Sequence, residues 1–135
     1  MLKKNASSVF WLSIFFGIPV YLWLWLWSIG IKLQTDKVKV KDIKLMLFKI
    51  SVIYPIAYFV FAIYHLFTNG WIVMPLHFSA MFSTFYAMLF AAKTLKSAEL
   101  KKEAKISEYL GEFFLIWFYP IGIWILQPRI HKLIN

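Results

Sequence analysis

Residues 9–31 form a run of 23 positions without one charged side chain. As a helix rising 1.5 Å per residue this run covers about 34 Å, enough to cross the roughly 30 Å hydrocarbon core of a bilayer. A helix apolar on every face needs either a large protein core or lipid around it, and 135 residues do not supply a large core. The surplus is general: 61% of the chain is hydrophobic, only 16% is charged, and there are 14 Phe, 7 Trp and 7 Tyr. The expected fold class is therefore all-α, an integral membrane helical bundle forming one transmembrane domain.

Three further apolar stretches follow. Residues 45–67 are interrupted only by Lys49, whose long stem can carry its charge back to the interface. Residues 71–92 follow after a turn at Thr68, Asn69 and Gly70, so short that the two segments are expected to pair as a central antiparallel hairpin. The last run, 113–126, is long enough to cross only if its helix starts near Glu108, which gives four expected spans at about 9–31, 45–67, 71–92 and 108–126. The first stretch is too long for a signal peptide's apolar core and lacks a small-residue cleavage motif, so it is expected to be retained. Trp23, Trp25 and Trp27 at its end are expected to anchor it at the headgroup boundary.

The connectors carry the charge. Residues 32–44 hold five lysines and 93–112 hold five more, with Lys96 and Glu99, Glu99 and Lys102, and Lys105 and Glu108 at the three-residue spacing of helix-surface ion pairs. The second connector reads as a helical extension of the third span that turns near Ser107. With four spans, ten connector basic residues face one side, against Lys3, Lys4, Arg129 and Lys132 on the other. Positive charge favours the cytoplasm, so the connectors are expected inside and both termini outside. Gly17 with Pro19, and Pro120 with Gly122, are expected to kink the first and last segments. A competing topology makes both broken segments re-entrant, which returns the termini to the cytoplasm and gathers every basic residue there. Four full spans are the favoured expectation, because the first segment is long and uncharged.

The last third reads Pro120-Ile121-Gly122-Ile123-Trp124, then Gln127-Pro128-Arg129-Ile130. It resembles the C-terminal pattern of small, functionally uncharacterised four-span bacterial membrane proteins, in which P-I-G-x-W is followed by Q-P-[RK]-[IV]-N-K; His131 stands here in place of the Asn. The resemblance implies a multi-pass protein of the bacterial inner membrane and brings no activity, substrate or cofactor.

Residue chemistry narrows the function classes. No cysteine is present, which excludes disulfides and thiolate chemistry, and all six carboxylates fall in or beside the connectors, where they do not serve a proton relay inside a span. Phosphate loops, H-E-x-x-H and G-x-S-x-G are absent, so no enzyme and no cofactor is expected. His65 and His77 flank the central turn and make a bis-His haem site a distant alternative. Ser51, Tyr54, Tyr58 and His65 share one face of the second span, and His77 and Thr84 share one of the third; together they form the candidate polar face or pore lining. Lys37, Lys39, Lys41, Lys44 and Lys49 form a basic rim facing anionic lipid, with no nucleic-acid partner expected because these charges alternate with apolar blocks. The function expected is a homo-oligomer that conducts ions or perturbs the membrane, the alternative being an accessory subunit that stabilises a partner protein.

Overall fold

Two of the expected helices are each found as a pair of shorter ones, because the backbone leaves helical geometry at Gly17 (φ 88°, ψ 123°) and at Phe118 (φ −86°, ψ 51°). The computed structural model describes residues 2–34, 40–66 and 70–135. These residues form α1 (Ala6–Phe16), α2 (Ile18–Lys32), α3 (Asp42–Leu66), α4 (Gly70–Leu100), α5 (Ile106–Trp117) and α6 (Tyr119–Ile134), with no strand among them. Thr68 and Asn69, the middle of the expected turn, lie outside the described residues, as do Lys37 and Lys39; Gly70 opens α4.

Each break is more than a kink. Gly17 takes a positive φ that a side chain would resist. Pro19 and Pro120 sit in the first turn of the following helix, where an amide hydrogen would lack a partner in the helix anyway. The halves then fold back on each other. Ser13 and Tyr21, four residues either side of Gly17, both lie beside Tyr119. Trp25 and the carbonyls of Leu2 and Lys4 all meet Gln127. Helices α1 and α2 therefore run side by side in opposite senses. At the other break, Gly122 lies so close to the Leu115 carbonyl that a Cβ would fall 1.7 Å from its oxygen, and further along Glu112 meets Arg129. Helices α5 and α6 are thus a second folded pair.

Helices α3 and α4 also pack in opposite senses, since Ser51, Tyr54 and Tyr58 meet Ser83, Ser79 and His77 in turn. At 25 and 31 residues they are about 37 and 46 Å long, both sufficient to cross a bilayer. Only 22% of the most apolar stretch of each is buried inside the molecule, unlike the core helix of a soluble domain. The four helices of the folded pairs have 11 to 16 residues, about 16 to 24 Å, and none crosses alone.

The core sits at one end. Trp25, Leu26, Ile29, Phe48, Leu95, Ile116, Ile123, Leu126 and Ile130 are fully buried where all six helices meet. Gly30 leaves room for the Phe48 ring, which stacks on Phe90 at 4.4 Å. No described side chain in 56–65 or 73–79 is buried; α2 reaches as far as Phe59, which Trp23 meets (ring centroids 6.3 Å), and beyond that level the described residues belong to α3 and α4.

Three expectations change. The termini do not lie across the molecule from the connectors: Gln127 holds Leu2 and Lys4, and Arg129, two residues on, holds Glu99 of α4. Folding back returned each half to the end from which it started. Of the Trp cluster, Trp23 and Trp25 face the protein core and not an interface, Trp25 donating its indole N–H to Gln127, while Trp27 is half-buried. Finally, α4 stops at Leu100, with Lys101 at φ 53°, and Ser107 lies inside α5 and not at the turn. Of the expected surface pairs Lys96 with Glu99 forms at 3.6 Å, whereas Glu99 also binds Arg129 and Lys102 goes to Glu108.

Candidate functional site

The polar residues expected to form an open face are used to join α3 to α4. Ser79 Oγ donates to the Leu76 carbonyl (2.9 Å), so the Tyr54 hydroxyl must donate to Ser79 Oγ (2.7 Å). The Tyr58 hydroxyl shares a hydrogen bond with His77 Nδ1 (3.1 Å), and Ser83 Oγ donates to the Ser51 carbonyl (3.2 Å). Thr84 Oγ1 satisfies itself on the Ala80 carbonyl one turn back (2.9 Å). In lipid each such group needs a partner, and here they find one another across the helix pair.

His65 and His77 are not brought together. His77 is level with Tyr58, seven residues from His65 along α3, about 10 Å of rise. His65 packs on Phe61 (ring centroids 4.2 Å apart) and Tyr64. Among the described residues no three His, Asp or Glu gather as a metal-binding group.

Beside this seam lies an open, almost entirely apolar groove of about 460 Å³. Pro19 and Trp117, from the bends of the two folded pairs, close one side of it; Pro55, Tyr58, Thr84 and Met88 form the other. Both bends therefore stop at mid-height on α3 and α4, and Phe85 packs on Trp117 (4.6 Å) at that level.

Two polar clusters hold the open ends of the folded pairs, and sequence reasoning missed both. In the first, the Arg129 guanidinium donates to both oxygens of Glu99 (2.7 and 2.6 Å) and to Glu112 (2.6 Å), while Lys96 donates to Glu112 (3.2 Å). Glu99, against the opposing effect of burial and with help from Glu112, raises the Arg129 pKa above its ordinary value. Two cations and two carboxylates balance here, across α4, α5 and α6. The second is Gln127, which has no exposed surface: its amide oxygen accepts from Trp25 Nε1 (2.9 Å) and its nitrogen donates to the carbonyls of Leu2 (3.0 Å) and Lys4 (2.7 Å). A lone uncharged amide directly after the last apolar run was the available signal for it.

Of the expected basic rim, Lys41, Lys44 and Lys49 are exposed. Lys41 and Lys44 border a second cavity, also lined by Lys93 and Glu103. Hydrogen bonding from Lys93, reinforced by its charge, holds the Glu103 carboxyl below its usual range. The chain matches no family model, no curated protein and no solved structure.

Proposed function

We propose that the chain is a non-enzymatic membrane protein that crosses the bilayer twice, by α3 and α4 as an antiparallel hairpin, and perturbs the membrane by inserting two half-depth hairpins into one leaflet. The observation that carries this reading is the change from six helices at one end of the molecule to two at the other. With each helix about 10 Å across, four extra helices add on the order of 300 Å² of cross-section to one leaflet. A bilayer accommodates such a wedge by bending or by redistributing lipid.

Charge placement supports the disposition. No charged residue lies between Lys4 and Lys32 or between Glu112 and Arg129, so the first hairpin is uncharged up to Lys32 and the second is uncharged around its bend, with Glu108, Glu112, Arg129 and Lys132 toward its open end. Trp11, Ile14, Phe118, Ile121 and Trp124 are exposed on them, as lipid-facing residues are. The thirteen Lys and Arg among the described residues then belong to the end that holds the termini and both connectors, which puts that end in the cytoplasm. This disposition replaces four full spans. The C-terminal pattern supports a bacterial inner membrane, where anionic headgroups meet the basic end.

Ion conduction by the polar face is the weaker reading, because Tyr54, Tyr58 and His77 are engaged in bonds within the chain. Reconstitution tests the two together. Added to preformed vesicles at rising protein-to-lipid ratio, the protein should reduce vesicle diameter or draw out tubules in electron micrographs while planar bilayers stay electrically silent. Unchanged vesicles with unitary conductance would overturn the wedge and restore the channel; self-association, read by native mass, would strengthen either effect.

A further inference from the structure

We propose that the cavity between Lys41, Lys44 and Lys93 binds one anionic lipid, its phosphate among the lysines and the upper part of an acyl chain along Tyr86, Leu89 and Phe90. The cavity holds about 510 Å³, room for a phosphate-bearing headgroup and the beginning of a chain, with the remainder continuing into the bilayer. Its walls are α4, Tyr109 of α5, Leu33 just after α2, and the residues that lead into α3.

Polarity is ordered along α4 as it is along a phospholipid. Tyr86, Leu89 and Phe90 lie toward the bilayer interior, Lys93 comes one turn later, and Thr94 and Ser97 lie beyond. Charge is unbalanced in the same place. Lys93 is paired with Glu103 at 2.5 Å, and Lys44 is close enough to help hold the Glu103 carboxyl down. Neither Lys41 nor Lys44 has a carboxylate within ion-pair distance among the described residues. Among the described residues lining the cavity three cations thus face one anion, in contrast to the balanced cluster around Arg129. A phosphate supplies the missing negative charge, and the apolar wall beneath favours a lipid over a free phosphate. The inference rests on the disposition proposed above for the side of the membrane concerned, but not on the wedge.

Native mass spectrometry from detergent tests it apart from any effect on vesicles. The protein titrated with phosphatidylglycerol should retain one molecule, at least about tenfold more tightly than phosphatidylcholine with the same chains, given that each lysine contributes about fourfold or more near such a phosphate. Lys41→Gln with Lys44→Gln should weaken retention about fifteenfold or more, whereas Lys3→Gln with Lys132→Gln, the same loss of charge elsewhere, should leave it within about twofold. Leu89→Gln keeps every charge and should also release the lipid, so the site remains testable if the lysine pair proves needed for folding. Equal retention of phosphatidylcholine, equal loss in the control pair, or displacement by an equal concentration of water-soluble glycerophosphate would overturn the lipid assignment.

Discussion

Gln127 joins segments more than a hundred residues apart, and the three groups it satisfies are two backbone carbonyls and an indole N–H. Removing the amide leaves the Trp25 indole N–H and the Leu2 carbonyl buried and unpaired, and each such group costs about 1–3 kcal/mol. Gln127→Leu, close in volume, should therefore lower stability by on the order of 2–4 kcal/mol, read as the midpoint of unfolding in a mixed-detergent titration. An unchanged midpoint would mean that the N-terminal segment is held without it. The Arg129 cluster is divided: Arg129, Lys96 and Glu99 are partly exposed, so the pairs between them contribute little, whereas the buried Glu112 carboxylate depends on Arg129 and Lys96 for its partners. The Tyr58 hydroxyl beside His77, which looks like a site in a list of residues, is one of the bonds that join α3 to α4.

Helices α5 and α6 approach closely because one position lacks a side chain. At Gly122 an added Cβ would lie 1.7 Å from a backbone oxygen, and backbone has no rotamer by which to move aside. Gly122→Ala should splay this hairpin and destabilise the fold by on the order of 2 kcal/mol or more. Gly111, inside α5, has nothing within 4 Å of an added Cβ, and Gly111→Ala should be neutral or stabilise by up to about 1 kcal/mol through helix propensity. Thermal unfolding of the two variants in one detergent checks the contrast. Equal effects would show that the close contact is not what folds α6 back on α5. The proline in each bend acts before packing does: it stops the helix and removes a donor that lipid would not satisfy.

Taken as a unit in a bilayer, the protein has one heavily charged end and one nearly uncharged one. Asn5, Ser97 and Asn135 belong to the charged end, since the helices that carry them are tied together by Gln127 and Arg129. Single cysteines at all three positions should therefore resist an impermeant thiol reagent applied outside intact cells, and a cysteine at Asn69, in the link between α3 and α4, should be labelled. Labelling of Asn5 and Asn135 from outside would restore four full spans and remove the six-to-two asymmetry on which the wedge depends. This test is independent of lipid binding and of vesicle shape, and it decides the disposition first.

From residue order alone came the all-helical class, the two long apolar segments that became α3 and α4, the break at Gly17 with Pro19, and a break close to Pro120, which falls at Phe118 two residues earlier, because hydropathy, missing amide hydrogens and missing side chains act locally. The concentration of basic residues at the segment ends was equally legible, since it needs only counting. What a break does with the chain beyond it is not local. A helix that ends in lipid can resume in its old direction or turn back, and the same Gly and Pro permit both. The choice fell to contacts far apart in sequence: Trp25 and Leu2 on Gln127, Arg129 on Glu99, and the Leu115 carbonyl against Gly122. Those contacts exist only once the halves have folded back, so tertiary structure alone placed the termini, closed the polar seam and set three lysines around one cavity.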